Sequence, residues 1–449
     1  MSNEIVEYIE NHLEDAIEDL GELCSIPSVA AKGEHMKEAA GKTKHLFESA
    51  GLETSIQQTS GFPVVVGELD VGAEKTLLFY DHYDVQPAEP FDLWDTPPFE
   101  LNRRDGRLYG RGVADNKGDL ITRVWALKAF QDSATDLPVN IKFMAEGEEE
   151  IGSPHLHEFV KENKDFLKAD GGIWEFGSSD IEGRQEVWLG LKGLLYVQLE
   201  IERLAMDAHS SYACILPSAA YRLIWALNSL RNEDNQILID GFYDDVKPLS
   251  EAERKAIMNN DMHENEVREF YDIPEFLNGM TGMELKEAFY NAPTCNIAGI
   301  DSGWQGSGAK TVLPAKASVK IDFRLVESMR PEDIVRKLRK HLDRKGFSDI
   351  KIAWHHGYPA AKTRIDHPFV DIARKSTRQI FGHEPVVHPT SPGSGPLYLF
   401  KGLVPMVSVG CGDFESRVHS PNESIIVENF LKATQRIAAV IQKMGEQTV

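Results

Sequence analysis

Five stretches of this chain concentrate imidazole and carboxylate groups. "LLFYDHYDVQP" carries His82 and Asp84, and "GRLYGRGVADNKGDL" carries Asp115. "FMAEGEEEIGS" carries Glu146, Glu148, Glu149 and Glu150; "IWEFGSSD" carries Glu175; "ESRVHSPNES" carries His419. Imidazole plus carboxylate is a donor set suited to zinc, and carboxylate-rich versions also take manganese or cobalt. Each stretch alone has a bland reading. "HYD" is a capped turn, "EGEEE" a solvated acidic run, "RVHSPNE" an ordinary turn. The glycines of "GRGVADNKG" lack phosphate-loop spacing. The five together, in this order, point to a metal site. HExxH is absent, and "SPGSGPLY" lacks the GxSxG elbow, so zincin and serine-hydrolase chemistry have no support. His155 and His157 stand two apart at a predicted helix start, where they share no face, and read as structural. So does the pair His355 and His356, near an expected domain boundary.

The elements that must position these groups follow from periodicity. Apolar residues over 5–23 recur at helical spacing. "AAGKTKHLFESAGL" predicts a helix ending at Gly51. "FPVVVGEL", "TLLFYDH", "VNIKFMAEGEEE" and "DGGIWEF" predict strands, and "GDLITRVWALKAF" a helix between them. Strand–helix alternation predicts βαβ units and a largely parallel sheet covered by helices. Four of the five chemical stretches follow a predicted strand, where an open α/β sheet gathers functional groups. After about Gly190 the pattern changes. "LLYVQLEIERL" and "KASVKIDFRLV" alternate like half-exposed strands, while "PSAAYRLIWALNSL" and "PEDIVRKLRKHLDRKG" predict helices. This predicts an inserted α+β domain with an open antiparallel sheet. Residues 232–291 are charged and poorly periodic. The expected organisation is a catalytic domain over 1–189 and 358–449, interrupted by a lid and dimerisation domain over 190–357.

The bulk properties exclude several classes. At 449 residues the chain exceeds one ordinary core. A net charge of -23 argues against nucleic acid, whose binding needs clustered Lys and Arg. No stretch approaches the ~18 apolar residues of a membrane span. The acidic start "MSNEIVEYIENHLEDAIEDL" has no secretion signal, and a cytoplasmic location is expected. The four cysteines (Cys24, Cys214, Cys295, Cys411) lack CxxC spacing and read as core packing rather than disulfides.

The five stretches resemble the M20 family of metallopeptidases: carnosinase-like dipeptidases, carboxypeptidases and acyl-amino-acid deacylases. That family has an HxD strand end, a GRGxxDxKG turn, an EGxEExGS strand end, an acidic strand end and a late histidine. The resemblance implies two divalent ions per subunit, zinc foremost, manganese or cobalt as alternatives. Asp115 would bridge them roughly 3.5–4 Å apart, as in two-metal hydrolases. His82 and Glu175 would hold one ion, Glu150 and His419 the other. Asp84 would orient the His82 ring. Glu149 would act as general base. The peptide Asp115–Asn116 would be cis. In the inserted domain His209 matches an oxyanion-stabilising histidine that reaches the partner subunit in dimeric relatives. Asn296 and Arg324 match substrate-binding positions, Arg324 gripping a carboxylate. Gly393 and Ser394 match a loop that contacts the same carboxylate.

The implied function is hydrolysis of a peptide bond next to a free carboxylate, of dipeptidase or carboxypeptidase type. The alternative is an N-acyl-amino-acid deacylase of acetylornithine deacetylase or succinyl-diaminopimelate desuccinylase type. Carnosinase-type dipeptidases typically carry aspartate where this chain has Glu175, whereas "YDHYDVQP" and "GAKTVLPAKASVKIDFRLV" look like the dipeptidase branch. The expected partners are a small peptide or N-acyl amino acid and a second copy of the chain, joined through the inserted domain. A non-catalytic metal-dependent binding protein and an acidic metal buffer are the rival classes; the presence of Glu149 argues against the first.

Overall fold

A computed structural model describes residues 2–133 and 135–446. The chain divides into two compact units: residues 1–190, 362–389 and 395–449 form one, and 191–361 with 390–394 the other. No helix among the described residues is long and apolar enough to cross a membrane.

The first unit is built on an eight-stranded sheet. Its order is Glu53–Gln57, Val64–Leu69, Asn140–Glu146, Thr76–His82, Gly171–Trp174, Met406–Ser408, Glu186–Trp188, Val386–His388. The central run from Asn140–Glu146 to Met406–Ser408 is parallel. Antiparallel pairs join the first three strands and link Ser408 to Trp188. The sheet is thus mostly parallel and helix-covered, with antiparallel partners away from its centre. The Thr76–His82 strand is buried from Leu77 onward, as a strand covered on both faces must be. Helix Lys117–Asp132 is buried nearly throughout, and the long helix Val427–Glu446 packs Phe430, Ile437, Val440 and Ile441 into the same core.

The predicted N-terminal helix is two helices, Asn3–Asn11 and Leu13–Cys24. His12 breaks the run at φ -111°, ψ 21°. Its ring stacks on Tyr8, and its Nδ1 lies 2.8 Å from the Tyr8 carbonyl.

The second unit has a four-stranded antiparallel sheet: Asn296–Asp301, Lys316–Leu325, Gly193–Glu202, Lys351–Tyr358. Burial alternates strictly along Gly193–Glu202 and Lys316–Leu325. The apolar face packs on helices Ala219–Asn228 and Pro331–Arg344 through Leu223, Ala226, Ile334, Leu338 and Leu342. The other face carries Asp322 and Arg324. The poorly periodic stretch forms short helices, Glu251–Met258, Glu264–Tyr271 and Gly282–Asn291. His355 and His356 lie within the Lys351–Tyr358 strand, exposed. Cys24, Cys295 and Cys411 are buried, but Cys214 is exposed, because it falls in a short surface 3-10 turn after His209 rather than on a packed element.

Candidate metal centre

Parallel strands deliver their C-terminal ends to one edge. His82 and Glu146 are direct neighbours in register. The Glu149–Ile151 turn follows the strand ending at Glu146, and Glu175 follows the one ending at Trp174. Asp115 sits in the turn before helix Lys117–Asp132, and the Asp115–Asn116 peptide is cis. His419 lies in the loop before the Ser424–Ile426 strand, in left-handed backbone with φ 62°.

Asp115 is the hub. Its Oδ1 is 3.1 Å from His82 Nε2 and its Oδ2 is 2.9 Å from His419 Nε2. His419 Nε2 is also 3.1 Å from Glu150 Oε2. Donor atoms of Asp115, Glu150 and His419 all lie within 4.8 Å of one another. The His82 Nδ1 faces Asp84: 3.1 Å from its carbonyl and 3.3 Å from its carboxylate. That carboxylate accepts the backbone N–H of Glu149 and of Glu150, at 3.3 and 3.0 Å. Asp84 therefore ties the histidine strand end to the acidic turn. Gln86 Nε2 donates to Glu150 Oε2 at 3.0 Å.

The electrostatics record crowding. Burial pushes the Glu175 carboxyl up to about 8. Burial and the Glu175 charge push Glu149 well above the usual carboxylate range; burial and the Asp115 charge raise Glu150. For Asp115, burial is outweighed by its bonds to His419 and His82, and the net direction is down. His419 is pushed up to about 10 by its bonds to Asp115 and Glu150. Glu175 Oε2 is buried with no hydrogen-bond partner. Two imidazoles, several mutually repelling carboxylates and an orphaned acceptor make a donor set that a divalent cation fits.

Several contributors had no bonding role assigned from the motifs. Glu423, fully buried, accepts the backbone N–H groups of Gly112, Ala114 and Asp115. Glu146 takes the Tyr80 and Ser153 hydroxyls at 2.6 and 2.8 Å, and Glu148 takes His155 Nδ1 at 3.0 Å. Asn116 and Arg123 both donate to the Glu175 carbonyl. The signal for Glu423 was its place four residues after His419; nothing else marked it.

The remaining expected site residues lie in the second unit. His209 is exposed, with Nδ1 2.8 Å from Ser211 Oγ and Nε2 3.3 Å from Thr311 Oγ1. Thr311 was not singled out from sequence. Asn296 Nδ2 donates to Asp322 Oδ2 at 2.8 Å. Arg324 Nη1 donates to Ser394 Oγ at 2.8 Å, and Ser394 Oγ donates to the Gly193 carbonyl at 3.2 Å. The Gly393 carbonyl accepts the Lys192 N–H at 2.9 Å. Asn296 pairs opposite Asp322, and Arg324 is two residues on along the same face, so the sheet brings Asn296, Arg324 and Ser394 to one end.

A mostly parallel, helix-covered sheet with imidazoles and acids at its strand ends, interrupted in the chain by an antiparallel α+β unit, is an architecture suited to an enzyme. The family model for peptidase family M20/M25/M40 matches residues 78–443, and the chain belongs to that family. It is 30% identical over 404 residues to the Beta-Ala-His dipeptidase of Mus musculus, covering 86% of this chain and 80% of that protein. It is 30% identical over 404 residues to the Cys-Gly metallodipeptidase of Saccharomyces cerevisiae, covering 83% and 80%. Among solved structures, an M20 family metallo-carboxypeptidase from Sulfolobus solfataricus superposes with TM-score 0.91 at 36% identity, covering 96% of this chain and 99% of that one. Human carnosine dipeptidase 1 superposes with TM-score 0.82 at 29% identity, covering 99% and 98%.

Proposed function

We propose that this M20 family enzyme is a di-metal dipeptidase or carboxypeptidase that cleaves the peptide bond next to a free carboxylate. The observation that carries the reading is the hub at Asp115, with one imidazole on each carboxylate oxygen and Glu150 beside the second. His82 and Glu175 would hold one divalent ion, Glu150 and His419 the other, with Asp115 shared; zinc suits this set, and manganese or cobalt would also fit. When bound, the ions would supply Lewis acidity toward the scissile carbonyl and the attacking water. Asp84 keeps the His82 ring oriented through Nδ1, leaving Nε2 for the ion. Glu149, whose backbone N–H is held by the Asp84 carboxylate next to Glu150, would act as general base, taking a proton from the attacking water and passing it to the leaving amine. Arg324, with Ser394 and Gly393 beside it, would bind the substrate carboxylate, and Asn296 would contact the substrate from the same end of the sheet. His209 would supply an oxyanion donor to the partner subunit in a homodimer formed through the second unit. The exposed Tyr221, Ile224 and Trp225 on one helix face support that interface.

The test is turnover of a dipeptide panel beside N-acetyl and N-succinyl amino acids, before and after chelation. Dipeptide cleavage lost on chelation and restored by zinc, manganese or cobalt is expected. Activity that survives thorough chelation refutes the metal reading. Cleavage of acyl amino acids with dipeptides untouched replaces the peptidase by a deacylase.

A further inference from the structure

The loop that carries His419 and the turn that carries Asp115 belong to stretches three hundred residues apart, yet His419 Nε2 and Asp115 Oδ2 are 2.9 Å apart. Something must fix that separation. The loop is fastened to the short strand Arg107–Tyr109 at both ends. At its start, Arg107 Nη2 donates to both oxygens of Asp413, at 3.0 and 2.9 Å. At its finish, Ser424 pairs opposite Tyr109, which sets Glu423 against the glycine-rich turn.

Glu423 then saturates that turn. Its Oε1 accepts the N–H of Ala114 at 2.9 Å and of Asp115 itself at 3.1 Å. Its Oε2 accepts the N–H of Gly112 at 3.0 Å and Arg111 Nη1 at 2.6 Å. Its own carbonyl accepts the Gly110 N–H at 3.1 Å. Both charged partners are buried, Glu423 fully and Arg111 to within 1%. Four donors on two oxygens leave the carboxylate no freedom, and the left-handed backbone at Arg417, His419 and Asn422 has to be held from outside. This carboxylate bonds the backbone of one expected ligand and stands four residues from another.

We propose that Glu423 is a positioning residue for metal binding: it clamps the Asp115 turn to the His419 loop and so sets the spacing of two ligands that its side chain does not replace. The inference rests on the reading of Asp115 and His419 as metal ligands. Groups of this kind typically cost 10–100-fold in metal affinity when removed.

The experiment uses the full chain, stripped by chelation, with zinc titrated against a chromophoric competitor; melting of the stripped protein is followed in parallel. Glu423→Gln places an amide donor where Oε2 accepted Gly112 and Arg111. Glu423→Asp keeps the charge opposite Arg111 but draws the oxygens back by one methylene, and carries the test if the glutamine variant fails to fold. Ile441→Ala, about 20 Å along helix Val427–Glu446 from its start, reports what lost stability alone does to affinity. The expected result is a 10–100-fold higher zinc Kd for a folded Glu423 variant, with Ile441→Ala unchanged. A folded Glu423 variant whose Kd moves no more than that of Ile441→Ala overturns the proposal. Asp115→Asn separates the two levels. Normal zinc binding by that variant overturns the ligand reading and this inference with it, whereas loss there beside intact Glu423 variants overturns this inference alone.

Discussion

Trp225→Ala is the sharpest probe of the proposed homodimer. Helix Ala219–Asn228 leaves Tyr221, Ile224 and Trp225 61%, 53% and 58% exposed, while Leu223 and Ala226 of the same helix are buried. The Tyr221 and Trp225 rings stack at 5.8 Å, so the patch is ordered without any cover. A buried aromatic covers about 150–250 Å², so Trp225 keeps roughly 120 Å² open. At ~25 cal/mol per Å², covering it is worth about 3 kcal/mol. A two-fold interface uses the same patch on both copies, giving about 6 kcal/mol per dimer. If half survives relaxation of the surroundings, the dimer Kd rises about 100-fold. Sedimentation velocity over a nanomolar-to-micromolar dilution series reads this directly. At dilutions where both proteins are monomeric the melting temperature should hold, because the side chain contributes little to its own unit's core; where the parent is dimeric the variant should melt lower by mass action. A parent protein that is monomeric throughout the series refutes the argument, and so does a variant that dissociates at the parent's concentration.

Glu149→Gln should retain its metal content by elemental analysis and lose about 10²–10⁴-fold in kcat; unchanged kcat removes Glu149 from the mechanism. Arg324→Lys loses the planar fork toward a carboxylate, and KM for dipeptides should rise about 10–100-fold while their C-terminal amides show no difference between parent and variant. Asp119, whose Oδ1 accepts the Cys411 N–H at 2.8 Å, has its carboxyl pushed up to about 7, chiefly by burial. A raised acid holds its proton more tightly folded than unfolded, so its contribution is full near pH 4 and is lost as pH rises through about 7. Asp119→Asn removes that titration. Between about pH 5 and pH 7 the parent should lose about 2–3 kcal/mol more unfolding free energy than the variant. Parallel denaturant profiles for the two would show that Asp119 does not titrate in that window.

What was legible from residues alone follows from burial. A strand covered on both faces has no use for acids, so "TLLFYDH" running into polar residues was already an anomaly that pointed to a metal site. The parallel register His82 beside Glu146 then turns two separate motifs into neighbours. In the second unit the two-residue period of "KASVKIDFRLV" was enough to predict a half-exposed strand carrying Arg324, while Asp322 beside it was not singled out. What stayed hidden depends on partners far away in the chain. Glu423 reads as a turn acid until the Ser424–Tyr109 pairing brings it under the Asp115 turn. The break at His12 is hidden because the apolar period continues across it, and only the ring stack on Tyr8 shows why the chain bends. Cys214 failed as a core residue because hydrophobicity of a side chain does not decide the exposure of the turn it stands on.

Glu175 illustrates how backbone and side chain divide the work at such a centre. Its carbonyl receives Asn116 Nδ2 and, at 3.3 Å, Arg123 Nη2, and Arg123 is itself ion-paired with buried Asp81. The next loop packs directly behind: a Cβ on Gly177 would overlap the backbone of Gly410, so the two segments meet backbone to backbone. The main chain at Glu175 is thus held through its carbonyl, and side-chain length then limits how far its carboxylate reaches. An aspartate there would have the same backbone and a shorter reach. On the proposed ligand reading, glutamate in place of aspartate at this strand end would change where one acid meets the ion without moving the sheet.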